Sequence, residues 1–349
     1  MSDSLSPERM SVRYEGEEEA RNATGYGEST YKTVFDHLEE EESKGKRVFI
    51  KDILHYLVPP KQQPPKLAPS LSQRKRGIGT ENGTNGVNGS NGDVHLNGTN
   101  GVNGSNKSAP FPFSTEGERS NPTIVPKALL EKFHFTFLIR DPHSSIPSYY
   151  RCTIPPLEDM TGFHEFYPDE AGYDELRRFF DYARESGLVR DKHTKLQNGT
   201  TNGDATNGHT DVPEVCLVDA DDLLDDPEGI IRAYCKSVGL DFHPDMLNWD
   251  NDELQSEAKT VFEKWRGFHE DAIHSTDLKP RKHVSTSQIR DSVAKLILKQ
   301  KKAAKTEEQW DAEWKEKYGE KAASVIRKTV DQNMPDFLYL KQFALKAEA

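Results

Sequence analysis

The sequence predicts an α/β fold in which a parallel sheet is covered by helices on both faces. Three short apolar runs, RVFIK (47–51), FHFTFLIR (133–140) and EVCLVDA (214–220), are rich in β-branched or aromatic residues and bounded by polar or turn residues, as buried strands are. Helical patterns alternate with them, the order that parallel strands require. Once two Asn/Gly-rich stretches are set aside, the rest of the 349-residue chain is long enough for one substantial core.

Taken in order, STYKTVFDHLEEEE (29–42) reads as a helix with Ser29 as its N-cap, and RVFIK as the strand that follows. Residues 61–121 form a disordered Asn/Gly-rich insertion containing NGTNGVNGSN twice, at 82–91 and 97–106. FHFTFLIR is the next strand. The chain then turns into a helix holding Pro147, and because proline suits only a first turn, that helix should begin near residues 143–145. YDELRRFFDYARESG (173–187) is helical, residues 190–213 form a second flexible insertion, and EVCLVDA is the third strand. PEGIIRAYCKSVG (227–239) starts on Pro227 and stops at Gly239, as a helix should. Beyond residue 250 come charged amphipathic segments at 252–274, 287–304 and 306–330 carrying Trp265, Trp310 and Trp314, expected to be helices laid across the sheet. The domain therefore comprises residues 1–60 and 122–349, interrupted by the insertion at 61–121.

Composition narrows the function classes. With 34% apolar and 30% charged residues and a formal net charge of -12, the chain is too acidic for a general nucleic-acid binder. The basic run QRKRG (73–77) sits inside the first insertion and reads as a solvated linker. No stretch has signal-peptide or transmembrane character, so no membrane role and a cytoplasmic location are expected. Cys152, Cys216 and Cys235 show neither pairing nor metal spacing and read as buried reduced thiols. In HEDAIH (269–274) the two histidines are five apart, on different helix faces, unlike a zinc-binding pair.

Ligands of parallel sheets sit beyond the carboxyl ends of the strands, and Arg140 stands at such an end. If Ser148 lies within a turn of the next helix N-terminus, then backbone N–H groups, the helix dipole, a hydroxyl and a guanidinium converge as a phosphate monoester needs. The alternative is that Arg140 pairs with a local carboxylate and Ser148 caps or packs.

The frame L-I-R-D-P-x-x-S-x-x-x-S-Y-Y around Arg140 and Ser148 resembles the 3′-phosphate-binding segment of sulfotransferases that use 3′-phosphoadenosine-5′-phosphosulfate. VDADDLLDDPEGIIRAYCKSVGLDF (218–242) is similar to the strand, acidic turn and helix of the same family. Residues 29–60 and 122–345 resemble a fungal branch of sulfotransferase-like P-loop proteins, with phrases such as YKTVFD, RVFIKD, IPSYYRCTIPP, EAGYDELRRFFDY and WRGFHEDAI. The resemblance implies a three-layer P-loop NTPase-like fold and transfer of a sulfuryl group from that donor to the hydroxyl of a small molecule, in fungal secondary metabolism. It implies 3′-phosphate contacts from Arg140 and Ser148, with Lys279, Arg281 and Lys282 of the late basic turn KPRKH as further candidates; the alternative for KPRKH is a solvated turn.

The sequence departs from the family in two places. Where members have a strand and a Ser/Thr/Gly loop for the 5′-phosphosulfate, GYGEST (25–30) follows the charged EEEARNAT, and SPERMSVRYE (6–15) resembles sequence downstream of the loop. Two alternatives stand: a coding segment missing upstream, or a copy without the loop. The catalytic histidine after the RVFIK strand is replaced by Ile53, leaving Lys51 and His55 as the candidates for charge stabilisation and general base. Asp219, Asp221 and Asp222 read as a structural turn. The rival expectation is a catalytically inactive nucleotide-binding or scaffolding relative; an NTPase or kinase lacks its Lys-Ser/Thr loop and magnesium aspartate.

Overall fold

The computed structural model describes residues 29–72, 116–191, 212–262, 267–281 and 305–347. SPERMSVRYE, residues 25–28 of GYGEST, QRKRG, Trp265, Lys282 and the 287–304 segment lie outside the described residues. The chain divides into two compact units that meet in sequence between Lys132 and Phe133.

The first unit is built on α1 (Tyr31–Ser43), two 3-10 turns at Leu54–Tyr56 and Pro69–Leu71, and the short α2 (Lys127–Leu130). The cap of α1 is Thr30 rather than Ser29: its hydroxyl accepts from the Thr33 amide while the Thr33 hydroxyl accepts from the Thr30 amide, a closed capping box. The Tyr31 hydroxyl donates to the Tyr56 carbonyl at 2.6 Å, tying the helix to a small core of Tyr56, Val58, Ala68, Ile124 and Val125. Backbone bonds from Ala68 to Ile124 and from Ile124 to Leu57 knit both flanks of the expected insertion into this core, so its edges are folded. RVFIK is not a strand. Residues 46–53 take no regular secondary structure, and Phe49 is 75% exposed. β-propensity is expressed only where neighbouring strands and a core give the side chains something to pack on, and among the described residues no strand pairs with this run.

The second unit carries β1 (Thr136–Ile139), α3 (Pro142–Arg151), α4 (Glu158–Thr161), α5 (Tyr173–Glu185), β2 (Cys216–Asp219), α6 (Ala220–Asp225), α7 (Pro227–Val238), α8 (Asp252–Val261), α9 (Glu270–Ile273), α10 (Glu307–Tyr318) and α11 (Glu320–Lys341). β1 and β2 pair in parallel, Thr136 opposite Cys216 and Ile139 opposite Asp219. The α/β expectation holds in this coarse form, with two strands in place of three.

The face holding Phe137 and Leu217 is covered by α5 and α11; Phe137 meets the Phe180 ring edge-on at 5.1 Å, and Phe337 and Leu340 of α11 are buried. On the opposite face Cys216 and Val218 pack against Ile230 and Val238 of α7 and against Leu345. Leu345 donates its amide to the Leu217 carbonyl at 2.7 Å, so the segment after α11 runs beside β2. β2 is buried throughout, whereas Leu138 of β1 is 55% exposed, so the two-sided covering expected of a parallel sheet is complete only at β2.

Helix α3 begins at Pro142, one residue earlier than the expected start, because Pro142 itself fills the first helical position and Asp141 caps it. Pro147 is thus inside the helix, where it cannot donate to the His143 carbonyl. Ile146 and Pro147 are both buried, and α3 packs against α11.

Candidate functional site

The parallel register sets the carboxyl ends of β1 and β2 side by side, and at each end an aspartate, Asp141 two residues past β1 and Asp219 at the last position of β2, caps the next helix. Asp141 Oδ1 accepts from the His143 amide at 2.9 Å, and Asp219 Oδ1 accepts from the Asp221 amide at 2.9 Å. The N–H groups at which a bound phosphate would sit are therefore turned toward the chain's own carboxylates. The carbonyl of Asp141 also takes the Ser144 and Ser145 amides.

The cations around β2 are committed in the same way. Asp219, with a fully buried side chain, is 2.7 Å from the Lys341 ammonium. Burial alone would lower the Lys341 pKa, but the adjacent Asp219 carboxylate, with Asp222 and Asp141 beyond, holds it above its usual value. Lys346 pairs with Asp222 at 2.6 Å. Arg281 reaches Asp221 at 2.9 Å and Asp225 at 2.7 Å, and also donates to the Asp221 carbonyl. Its pKa is raised: burial works against the charge, and the two carboxylates more than restore it. Lys279 is paired with Asp277. The acidic turn thus has the structural role expected of Asp219, Asp221 and Asp222, while Lys279 and Arg281, expected at a nucleotide phosphate, hold carboxylates.

Arg140 differs. It is exposed, and among the described residues its guanidinium makes no hydrogen bond or ion pair. Its carbonyl accepts from the Tyr173 hydroxyl at 2.5 Å. That hydroxyl has one proton, so Ser145 donates to the tyrosine oxygen across 2.7 Å. Burial pushes the Tyr173 pKa up to about 12, which keeps the donor protonated. Ser148 falls six residues after Pro142, about 9 Å along the helix axis, and is half-buried. The expected meeting of Ser148 with the helix N-terminus is not built, because the helix starts earlier than Pro147 alone would dictate.

Lys51 and His55 lie in the first unit. The strand end that was to carry Lys51 does not exist, and Lys51 is exposed on the irregular segment. His55 sits in the 3-10 turn with its ring 4.2 Å from that of Tyr56.

Sequence reasoning passed over His143. Its ring lies between two carboxylates, 2.8 Å from Asp141 and 3.3 Å from Glu307, and stacks on Trp310 and Trp314. The dipeptide-spaced Asp141 and His143 could have flagged one arm, but Glu307 and Lys341 come from far along the chain and carry no local signal.

A cavity of about 140 Å³ lined by Trp249, Leu254, Phe262 and Ile273 includes no strand-end residue and is smaller than the few hundred Å³ usual for small-molecule sites. A depression of about 570 Å³ is lined only by one face of α8 and has no opposing wall. Among the described residues no cluster of His, Cys, Asp or Glu could hold a metal, and no helix is long and apolar enough to cross a membrane. Compared with known proteins, the chain matches no family model, no curated protein and no solved structure.

Proposed function

We propose that the chain is a sulfotransferase-like protein of P-loop type that has become a non-catalytic scaffold. The motifs around Arg140 and Asp219 support the kinship, as does the parallel pairing of the two strands that end in them. The observation that carries the non-catalytic reading is the internal neutralisation of the strand ends. Asp141 and Asp219 occupy the helix N-termini, and Lys279, Arg281, Lys341 and Lys346 each hold a carboxylate of the chain. A phosphate entering here would meet negative charge and would have to break ion pairs.

The exposed, unpaired Arg140 favours a second reading, a cytoplasmic sulfotransferase that moves a sulfuryl group from 3′-phosphoadenosine-5′-phosphosulfate to a small-molecule hydroxyl. Calorimetric titration of the full chain with 3′-phosphoadenosine-5′-phosphate, beside Arg140→Ala, separates the two. No heat in either protein is expected. Micromolar binding that Arg140→Ala abolishes would overturn the scaffold and place the donor at Arg140.

A further inference from the structure

We propose that His143 is a pH-sensitive latch that holds the start of α10 against the junction of β1 and α3, closed when the imidazole is doubly protonated and released when it is neutral. Both ring nitrogens face carboxylate oxygens: Nδ1 is 2.8 Å from Asp141 and Nε2 is 3.3 Å from Glu307. Carboxylates only accept, and a neutral imidazole has a single N–H, so only the imidazolium donates to both. The ring is buried against the stacked indoles of Trp310 at 5.4 Å and Trp314 at 6.1 Å, faces that favour a cation.

The surrounding charges decide which arm opens. Asp141 also accepts the His143 backbone amide, so that arm survives loss of a proton. Glu307 is exposed and is shared with Arg327 of α11, which also bonds Asp311 at 2.8 Å and reaches Asp331 at 3.5 Å. Lys305 lies over the outer face of Trp310 at 4.1 Å, Lys341 acts on Asp141 from α11, and from α5 the Tyr173 hydroxyl is bound to Ser145. On deprotonation Nδ1–H stays with Asp141, and the Nε2 lone pair turns on Glu307, which keeps Arg327. The start of α10 then loses its charged tie to α3 and is held there by ring stacking alone. Burial lowers the His143 pKa, but Asp141 and then Glu307 outweigh it and leave it above the ordinary value, so the latch opens as pH rises past that raised midpoint.

The test is an NMR titration of the full chain with ring-labelled histidine, the His143 signal being the one missing from His143→Gln. The expected midpoint lies above 6.5, the ordinary value. Glu307→Gln should lower it by about half a unit or more. Amide exchange of residues 306–310, corrected for intrinsic pH dependence, should rise by about threefold or more across the midpoint and be fast at all pH in Glu307→Gln. A midpoint at or below 6.5, one unmoved by Glu307→Gln, or exchange that ignores the titration would overturn the latch. If His143→Gln fails to fold, the signal is assigned from its through-space contacts with the Trp310 and Trp314 rings, and the same outcomes decide.

Discussion

Glu175 in the first turn of α5 is 4% exposed, with Arg178 no nearer than 3.8 Å. Burial, opposed by a backbone hydrogen bond and reinforced by Asp174, pushes its pKa up to about 7 from 4.5. A raised carboxyl pKa means that folding favours the protonated acid. Its stabilising contribution is complete below pH 4.5 and declines as pH climbs through about 7. Wild-type urea midpoints should therefore be higher at pH 5 than at pH 8. Glu175→Gln should reduce that difference, and an unchanged difference would show that the carboxyl titrates normally. His143 acts in the same direction, so the comparison is between wild type and variant and not between pH values alone. Neither residue was visible from the sequence, because an acid or a histidine on a helix announces its partners only once the chain is folded.

At the scale of elements, what was legible were the units whose rules are local. Helix α7 starts at Pro227 and stops at Gly239 as read, with Asp226 accepting the Gly229 amide at 3.0 Å and Gly239 left-handed at φ +66°. Gly239→Ala should cost about 1–2 kcal/mol in chemical unfolding, the penalty for a Cβ in that conformation. The two runs that became β1 and β2 were legible by composition, and each found a partner in the other. RVFIK had the same composition and failed, since a strand also needs a neighbour, which composition does not encode. That contrast is measurable: Phe49→Ser should change stability by less than about 0.5 kcal/mol, whereas Phe180→Ala, removing a ring buried between β1 and α11, should cost about 3–5 kcal/mol. A large loss at Phe49 would mean that the run is packed after all. The start of α3 was misplaced because two prolines competed for the first turn, and Pro142, next to its aspartate cap, won.

Over the whole molecule, the residues that frame the candidate site converge from distant stretches: Asp141 and Asp219 at the strand ends, Arg281 after α9, Lys341 and Lys346 at and beyond the end of α11. The sequence showed the carboxylates as a cluster and the basic turn as a separate one. Their mutual neutralisation is a property of tertiary contact, and it turns Arg281 from an expected phosphate ligand into a clamp on α6. Arg281→Ala is therefore the most direct test, read by urea unfolding and by calorimetry with 3′-phosphoadenosine-5′-phosphate on the same protein. The expected result is a stability loss of about 1 kcal/mol, modest because the pair is partly solvated, with no nucleotide binding before or after. Unchanged stability together with nucleotide affinity that the substitution removes would contradict the scaffold and return Arg281 to a ligand site.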